Sequence, residues 1–362
     1  MSSGVIKTKI LHYVDENRLA WAESWIQLIR ELESKGITNR VVCKSGGTLT
    51  DRLHEAGLPF ETFNIPISWL PQTGLKLGGI ISDFSPDIIH TRLSSAARIG
   101  GFWARKTGVP VIQTVDKYPK GHYHKNADHL ITCSESVKRH MIKLGYPETM
   151  ISTVFNPVDP KKYVFDKDKA ICVRDMLGIL PNEKVILGAG NFVEMKGFDN
   201  LIKAFQLLIL DSRQDLKLLL LGEGEEKDTL CKLIKSSGLG KKVIMPGFVQ
   251  DIRPYMWASD IFVLSSKKPE PFGVVLIEAM ASGLASIATE AGGPIDIIKD
   301  GVNGCLVEIN SAKDIAKKIK LLLEDDDLKN KIAAQGIETV SKKFNVKDIA
   351  LKHLEIYRKF IL

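Results

Sequence analysis

Residues 269–297 read PEPFGVVLIEAMASGLASIATEAGGPIDI and contain two carboxylates, Glu270 and Glu278, eight residues apart. Glu270 lies between two prolines, which predicts a loop. Glu278 falls in an apolar run, 273–281, that predicts a helix ended by Gly283. The first amides of a helix lack intrahelical partners and can hold an anion. One acid before the helix and one two turns into it therefore predict a clamp for a ligand with hydroxyls at both ends.

The same pair has a plainer interpretation, in which one acid caps the helix and the other is solvated on its surface. For an isolated pair with this spacing the plainer interpretation would be preferred. The Pro-Phe-Gly turn at 271–273 and the Gly-Gly-Pro turn at 292–294 favour the binding interpretation.

Strand-like and helix-like segments alternate on both sides of this stretch. Residues 8–14 and 216–221, for example, predict buried strands, and a helix is expected from about Ala20 to Ser34. Such alternation predicts an α/β fold with doubly wound parallel sheets. The sequence at 188–193 is not a dinucleotide fingerprint, because Val193 stands in place of its third glycine.

The chain of 362 residues is long enough for two domains. We expect an N-terminal domain over residues 1–165 and a second domain over residues 166–345, with a charged linker near their boundary. A closing helix in residues 346–362 is expected to pack back across the N-terminal domain.

Composition is typical of a globular protein and limits its surroundings and partners. The five cysteines are scattered and none is in C-x-x-C spacing, which indicates reduced thiols in a cytosol-like compartment. No signal peptide and no apolar run of spanning length is seen. A cytoplasmic location is expected, with peripheral contact on the inner membrane face left open.

The net charge of +7 is uneven, because residues 1–165 contain 21 Lys and Arg against 15 Asp and Glu. This surplus suits an anionic partner, either a phosphorylated acceptor or an anionic membrane face, and ordinary solvated charge explains it equally well. Nucleic acid is not an expected partner, since no basic stripe is interleaved with aromatic residues.

Three polar residues, His90, Asp116 and Ser134, are placed by the pattern just past the ends of buried strands. Ligands of doubly wound sheets bind at those ends, so all three are candidates to line a crevice. For each residue taken alone, a structural role is the preferred interpretation.

A set of short motifs follows in a fixed order through the second half of the chain. They are Gly190 with Lys196-Gly197, Leu221–Gly224, Pro246–Phe248, Glu270–Gly273, Glu278–Gly283, Gly292–Pro294 and Asp300–Gly304. In this order the chain resembles the retaining glycosyltransferases of the GT-B fold in family 4, also called glycosyl transferases group 1. The resemblance implies two Rossmann-like domains that face each other across a cleft.

The resemblance also implies roles for individual residues in binding a nucleotide sugar, with no metal and no other cofactor. Glu278 would bind the ribose hydroxyls, Glu270 the donor sugar, and Lys196 the departing diphosphate. We expect a UDP-sugar rather than a GDP-sugar. The remaining donor-binding residues implied are Gly190, Asn191, Gly222, Gly224, Phe248, Val249, Phe272, Gly273 and Val274.

Two positions depart from the family pattern. Asn191 stands where the family usually has an arginine, so Lys196 would bear more of the diphosphate charge, with Arg92 or another basic residue as the compensating cation. Asp116 stands where a histidine is frequent and is expected to be catalytic together with Lys196 and Glu270. His122 and His124 are the alternatives in the following loop, and they join His90 and Arg92 as acceptor-side candidates.

The acceptor side is predicted from a softer resemblance. Residues 89–95 and 104–110 are similar to bacterial transferases that build the lipopolysaccharide core, which implies a cell-envelope glycan or glycolipid acceptor. Trp69 and Leu70 lie between prolines and are candidates for bilayer contact, although a buried loop anchor is the preferred interpretation.

Two other functions fit the same residues. A nucleotide-sugar epimerase on this fold would need no acceptor. A degenerate transferase, suggested by Asn191 and Asp116, would bind a nucleotide sugar without turning it over.

Overall fold

The computed structural model describes residues 8–19, 21–67, 69–211 and 215–361. They form two compact units. One unit contains the described residues up to Pro157 together with those from Val346 onwards, and the other contains Val158–Asn345. Each unit is built around its own parallel sheet.

The first unit has a seven-stranded sheet in the order β3-β2-β1-β4-β5-β6-β7. Its strands are β1 (Lys9–Val14), β2 (Thr38–Cys43), β3 (Phe60–Thr62), β4 (Ile88–Arg92), β5 (Val111–Val115), β6 (His129–Thr132) and β7 (Ile151–Thr153). Every pairing in it is parallel. The order reverses between β1 and β4, which creates a crevice at their carboxyl ends.

Helices cover both faces of this sheet, which explains why its central strands are buried throughout. They are α1 (Ala22–Ser34), α2 (Thr48–Glu55), α3 (Leu75–Phe84), α4 (Ser94–Thr107) and α5 (Glu135–Lys143). The expected start of α1 at Ala20 lies outside the described residues. Ser134 caps α5, as its Oγ accepts a hydrogen bond from the Val137 amide at 3.1 Å.

The second unit has a six-stranded parallel sheet in the order β10-β9-β8-β11-β12-β13. Its strands are β8 (Lys184–Ala189), β9 (Leu216–Leu221), β10 (Val243–Gly247), β11 (Ile261–Leu264), β12 (Ala285–Thr289) and β13 (Cys305–Val307). Its helices are α6 (Lys167–Met176), α7 (Phe198–Asp211), α8 (Lys227–Ser236), α9 (Arg253–Trp257), α10 (Val274–Ala281), α11 (Pro294–Ile297), α12 (Ala312–Glu324) and α13 (Asp326–Lys343). Its order reverses between β8 and β11.

The last helix, α14 (Val346–Tyr357), belongs to the first unit. Its buried residues Ile349 and Tyr357 pack with Leu28 of α1 and Ile10 of β1 in one apolar core. None of the described helices combines the length and the hydropathy that crossing a bilayer requires.

The boundary between the units comes earlier than the expected division at residues 165 and 166. The Val158 amide donates to the Phe344 carbonyl at 2.8 Å, and the Tyr163 hydroxyl donates to Glu278 at 2.9 Å. These long-range hydrogen bonds hold the stretch from Val158 onwards in the second unit, where its charged composition alone predicted a linker.

Candidate functional site

The predicted donor-binding residues of the second unit collect at one edge of its sheet. Because all six strands are parallel, the loops that follow them emerge on the same side. Gly190, Asn191 and Lys196 follow β8, Gly222 and Gly224 follow β9, Phe248 and Val249 follow β10, and Glu270, Phe272 and Gly273 follow β11. The sequence had predicted these residues one motif at a time, and the sheet brings their loops together.

The loops after β8 and β11 flank the point where the strand order reverses, and an ion pair joins them. Lys196 Nζ donates to Glu270 Oε1 at 2.7 Å, and Ser266 Oγ donates to Glu270 Oε2 at 2.8 Å. Glu270 is buried, with 7% of its surface exposed, and Lys196 is half-buried. Each carboxylate oxygen thus has a donor, and the ammonium is held at the switch point.

The backbone beneath Lys196 is fixed by a close approach to the end of β11. Ser265 Oγ donates to the Gly197 carbonyl at 3.0 Å. A Cβ atom at Gly197 would lie 2.1 Å from the Ser265 carbonyl oxygen, and the residue has a φ of +65°. Both facts require glycine at position 197. The Lys-Gly pair therefore fixes the backbone that positions the Lys196 ammonium.

The backbone of Glu270 is fixed on its other side by the Gly-Gly-Pro turn. The Gly293 amide donates to the Glu270 carbonyl at 2.7 Å, and the Glu270 amide donates to the Ala291 carbonyl at 3.2 Å. A Cβ atom at Gly293 would lie 2.3 Å from the Phe272 Cα. The two motifs of the opening stretch therefore meet in space, although more than twenty residues separate them.

Helix α10 begins one residue after Gly273, which has a φ of +104°, and no side chain caps it. Its first amides are oriented toward the same edge of the sheet as Glu270. The Phe272 side chain is buried and packs edge-on against Phe344, with ring centroids 5.7 Å apart. Phe272 can therefore contribute to a ligand site through its backbone and not through its ring.

Glu278 lies on α10 and is held by a residue that the sequence analysis missed. The Tyr163 hydroxyl donates to Glu278 Oε1 at 2.9 Å, and the Trp257 indole donates to the Tyr163 carbonyl at 3.2 Å. Tyr163 is 115 positions away from Glu278, in a segment that its composition marked as a linker. No local pattern signals such a contact.

The remaining residues that the sequence predicted to bind the donor differ in how exposed their side chains are. The Phe248 ring is 60% exposed, Asn191 is exposed and Val249 is half-buried. The loops after β8, β9 and β10 are tied by backbone hydrogen bonds, from the Gly190 amide to Leu221 at 3.0 Å and from the Gly222 amide to Gly247 at 2.9 Å. An exposed aromatic ring on a fixed loop is suited to stack on a planar ligand.

In the first unit, Asp116 follows β5 as predicted but is not a free carboxylate. Arg92 binds it with two hydrogen bonds, Nε to Oδ2 at 2.9 Å and Nη2 to Oδ1 at 2.5 Å. Both side chains are buried, at 4% and 5% exposure. Arg92 also donates to Asn156 Oδ1 at 2.8 Å and stacks on the Trp21 ring at 4.5 Å.

This pairing changes the expectations for both residues. If the guanidinium left Asp116, the buried carboxylate would lose its counter-ion, which disfavours Arg92 as the cation that compensates for Asn191; that role stays a prediction. The Asp116 carboxylate carries its own counter-ion, which weakens its attraction for a developing positive charge. The results for Arg92 and Asp116 both depend on contacts between side chains that are far apart in sequence.

His90 was expected just past a strand end, and that placement is wrong. It lies inside β4, where its Nδ1 is 2.6 Å from the Tyr357 hydroxyl and its Nε2 is 2.7 Å from Thr114 Oγ1. It is 2% exposed. With both ring nitrogens occupied inside the core, His90 connects α14 to the sheet and is not available to an acceptor.

The two histidines after β5 differ from each other. His124 is buried, and its Nδ1 lies 2.9 Å from Gln113 Oε1. Burial lowers the pKa of His124 to about 4. His122 is exposed and its ring lies 5.9 Å from that of Tyr146. Of the expected acceptor-side histidines, only His122 is accessible.

A buried acid, Asp15, also lies at the crevice of the first unit and was not singled out from the sequence. It directly follows β1, accepts a hydrogen bond from Ser95 Oγ and lies 3.5 Å from the Lys44 ammonium. Leu93, which directly follows β4, has a φ of 72° and a ψ of 156°, which is a rare conformation for a residue with a side chain. The sequence feature that could have singled out Asp15 is its position directly after the first strand.

Three histidines in the core of the first unit predict acid sensitivity. His12 and His90 have ring centroids 5.6 Å apart, and His90 and His353 have centroids 5.9 Å apart. Burial lowers the pKa of His12 and of His353 to about 4, and that of His90 well below 6.5. The folded unit therefore binds fewer protons than the unfolded chain between pH 6.5 and 4, so stability is lost as pH falls through this range.

We expect each of these histidines to reduce the free energy of unfolding by about 1.4 kcal/mol per pH unit below the unfolded pKa. Urea denaturation followed by circular dichroism at several pH values measures this slope. His353→Gln should make the slope shallower by about one histidine's share, while exposed His54→Gln should not change it. An unchanged slope in His353→Gln would contradict the burial argument.

Comparison with known proteins agrees with this geometry. A family described as "Glycosyltransferase Family 4" matches residues 22–162, and one described as "Glycosyl transferases group 1" matches residues 173–339. The lipopolysaccharide core biosynthesis glycosyltransferase LpsE of Rhizobium meliloti is 28% identical over 92% of this chain and 94% of its own length. The N-acetyl-alpha-D-glucosaminyl L-malate synthase of Bacillus anthracis is 30% identical over 64% of this chain and 60% of its own length.

Among solved structures, Anabaena HepE in complex with UDP and glucose superposes with a TM-score of 0.87 at 22% identity. The match covers 97% of this chain and 100% of that one. The two parallel α/β units thus define a GT-B protein. The chain belongs to the family-4, group 1 glycosyltransferases and is a glycosyltransferase enzyme.

Proposed function

We propose that the enzyme transfers a sugar, with retention of configuration and without a metal ion, from a nucleotide sugar to a cell-envelope glycan or glycolipid. A UDP-sugar is the preferred donor, and the lipopolysaccharide core is the proposed acceptor class. The observation that carries the proposal is the Lys196–Glu270–Ser266 cluster at the switch point of the second unit. It combines a cation for a diphosphate with a carboxylate for sugar hydroxyls.

Lys196 supplies what the leaving group needs. As the acceptor hydroxyl oxygen bonds to the anomeric carbon, the bond from that carbon to the diphosphate breaks, negative charge grows on the diphosphate, and the departing diphosphate takes the proton of the hydroxyl. A fixed ammonium next to that charge stabilises the transition state more than the ground state. An ammonium has three donors, of which Glu270 takes one at 2.7 Å, so Lys196 can bind the carboxylate and a phosphate oxygen together.

Glu278 and the α10 amides would hold the two ends of the nucleotide. The amides bind anionic oxygens at a helix start. The carboxylate of Glu278, fixed by Tyr163, accepts hydrogen bonds from ribose hydroxyls. The exposed Phe248 ring would cover the base. That HepE was solved with UDP supports a uridine nucleotide here.

The acceptor proposal is supported by the name of LpsE and by charge. Residues 1–157 and 346–362 contain 23 Lys and Arg against 16 Asp and Glu, so the first unit carries the whole net charge of +7. The loop after Asp116 contains three exposed lysines, Lys117, Lys120 and Lys125. A phosphorylated core glycolipid would be attracted to such a surface.

The first test is a thermal-shift screen with UDP-, GDP- and ADP-sugars. One UDP-sugar at saturating concentration should stabilise the second unit by a few kcal/mol, because it binds only the folded state. Glu278→Ala should lose most of this shift, and Tyr163→Phe should weaken binding by about fivefold through one lost hydrogen bond. Glu338→Ala, an exposed acid on α13, is the matched control and should behave as the wild type.

The second measurement follows the product. With the stabilising donor and a core glycolipid, the anomeric proton coupling in an NMR spectrum should show the configuration of the donor retained. Inversion would contradict the proposed course. A chain that no UDP-, GDP- or ADP-sugar stabilises would contradict the donor class itself.

A further inference from the structure

A buried carboxylate at the switch point of the first sheet has surroundings like those of Glu270 in the second unit. Asp15 directly follows β1 and is 2% exposed. Its Oδ2 accepts a hydrogen bond from Ser95 Oγ, and its Oδ1 lies 3.5 Å from the Lys44 ammonium. We call Asp15, Lys44 and Ser95 the β1 cluster. As with Glu270, one carboxylate oxygen faces a serine hydroxyl and the other a lysine ammonium.

The order of the strands brings the β1 cluster together. Lys44 directly follows β2, Asp15 directly follows β1, and Ser95 lies in the first turn of α4, just after β4. These three strands are neighbours, and the strand order reverses between β1 and β4. The cluster therefore lies where a doubly wound sheet binds its ligand. Leu93, in its rare backbone conformation, leads into the start of α4, and strained residues of this kind concentrate at functional sites.

The β1 cluster contains a buried acceptor atom that the protein itself does not use. Within the part of the chain that the structure describes, Asp15 Oδ1 is buried and accepts no hydrogen bond. The Lys44 ammonium at 3.5 Å pairs with it as a charge only. A buried polar atom without a hydrogen bond costs free energy, which a hydroxyl group of a ligand would recover.

The partners of Asp15 also offer donors to a ligand. The Lys44 side chain is 35% exposed and Ser95 is half-buried, so the β1 cluster reaches solvent through these two side chains. An ammonium has three donors, so Lys44 can remain beside Asp15 and still bind an anionic oxygen. An ammonium next to an unused carboxylate oxygen matches a ligand in which an anionic group and a hydroxyl are neighbours. Sugars that carry a phosphate or a carboxylate have this chemistry.

We propose that the β1 cluster binds an acidic sugar unit of the acceptor. Lys44 would bind the phosphate or carboxylate of that sugar, and Asp15, held by Ser95, would accept a hydrogen bond from a neighbouring hydroxyl. The inference rests on the proposed function, since that function makes the bound sugar part of the acceptor. It assigns acceptor recognition to residues that follow β1 and β2, whereas the sequence predicted His90 and Arg92, which are engaged in the core.

Ligand-observed NMR titration of the whole chain tests the site without any transfer. The probes are glucose 6-phosphate, glucuronic acid and glucose, each added in the presence of saturating UDP so that the donor-binding residues are occupied. At least one of the two acidic sugars should bind about tenfold more tightly than glucose, because it adds a hydrogen bond to a charged group. The tighter of the two identifies the anionic group. Equal affinity for all three sugars would overturn the inference.

Substitutions in the β1 cluster should change this preference in different ways. Lys44→Gln should remove the tenfold advantage of the acidic sugar and leave glucose binding as it is, and Lys44→Arg should retain part of the advantage. Asp15→Asn should weaken the binding of all three sugars by about fivefold, through the hydroxyl that they share. Circular dichroism must show that each variant is folded. If Asp15→Asn does not fold, Ser95→Ala, which frees the carboxylate to rotate, should give the same uniform weakening.

Lys35 provides the matched control for charge. Its ammonium pairs with Glu31 at 3.1 Å at the end of α1, in the same unit. Lys35→Gln removes the same charge as Lys44→Gln and should bind all three sugars as the wild type does. If Lys35→Gln loses the preference for the acidic sugar to the same extent, net charge and not the β1 cluster explains it, and the inference is overturned.

The thermal shift with donor keeps the failure of this inference separate from that of the proposed function. Lys44→Gln should retain the full shift, because Lys44 lies in a different unit from the donor-binding residues. In the transfer assay its loss should appear as a higher KM for the core glycolipid more than as a lower kcat. A donor shift without preference for an acidic sugar would overturn this inference alone. A preference that Lys44→Gln abolishes, in a chain that no nucleotide sugar stabilises, would contradict the proposed donor and support the β1 cluster.

Discussion

Replacing Lys196 by alanine is expected to lower the rate of sugar transfer by about two to three orders of magnitude. The expected loss is large because Lys196 is the cation held at the switch point, 2.7 Å from Glu270, and Asn191 carries no charge to share its role. The measurement is single-turnover cleavage of the nucleotide sugar that the thermal screen selects, with a core glycolipid present. The drop should appear in the rate of the chemical step more than in donor affinity.

Two further variants make this result specific. Lys203→Ala removes an exposed lysine of α7 whose ammonium pairs with Asp199 at 3.1 Å, and it should react as the wild type does. Lys196→Arg keeps the charge but changes its reach, so it should recover part of the rate. Circular dichroism must show that Lys196→Ala is folded, since it leaves the buried Glu270 without its counter-ion. Wild-type turnover in folded Lys196→Ala would remove the basis for the proposed chemistry.

Replacing Arg92 by alanine is expected to destabilise the first unit by about 3 to 5 kcal/mol. The change leaves the Asp116 carboxylate buried at 5% exposure without its counter-ion and removes the guanidinium that stacks on Trp21. Removing one member of a buried ion pair costs more than the pair itself contributes, because the remaining charge stays desolvated. Urea denaturation at neutral pH measures the loss.

A double-mutant cycle separates a structural role for Asp116 from a catalytic one. Asp116→Asn alone should also destabilise the unit, and the double variant with Arg92→Met should recover part of the loss, because no unpaired charge remains. If Asp116→Asn keeps wild-type stability but loses transfer, the carboxylate acts on the substrate and the structural interpretation is wrong. The same substitutions in a surface pair are the matched control. In that pair Arg105 lies 3.4 Å from Asp128, and the arginine is 58% exposed.

The loops of the proposed donor side were predictable because their sequence signals are local. Glycines at tight approaches, prolines around a loop and an apolar helix are each readable within a few residues, and parallel strands then bring their loops to one edge. A Cβ atom at Gly197 of the Lys-Gly motif or at Gly293 of the Gly-Gly-Pro motif would lie 2.1 or 2.3 Å from a backbone atom of another segment, so only glycine fits at these positions. Glu270 and Glu278 were found for the same reason.

The contacts of the residues predicted on the acceptor side were less predictable, because they join pairs from distant parts of the chain. The partner of His90 is Tyr357, 267 positions away, and that of Arg92 is Asp116, 24 positions away and directly after the neighbouring strand β5. A polar residue at a strand end looks the same in sequence whether it lines a crevice or forms hydrogen bonds inside the core. Trp69 shows the converse: it is 69% exposed, so the buried loop anchor preferred from the sequence is wrong, because an aromatic residue between prolines is equally suited to burial or exposure.

The sequence by itself determined the α/β architecture, the family and the loops that are proposed to bind the donor, because periodicity and turn chemistry act between near neighbours. Only the tertiary structure decided that Asp116 is neutralised by Arg92, that Tyr163 holds Glu278, that residues 158–165 join the second unit and that Trp69 faces solvent. These outcomes depend on which side chains meet after the strands have paired. Burial and charge pairing depend on side chains that meet only in the folded protein. No short stretch of sequence encodes them.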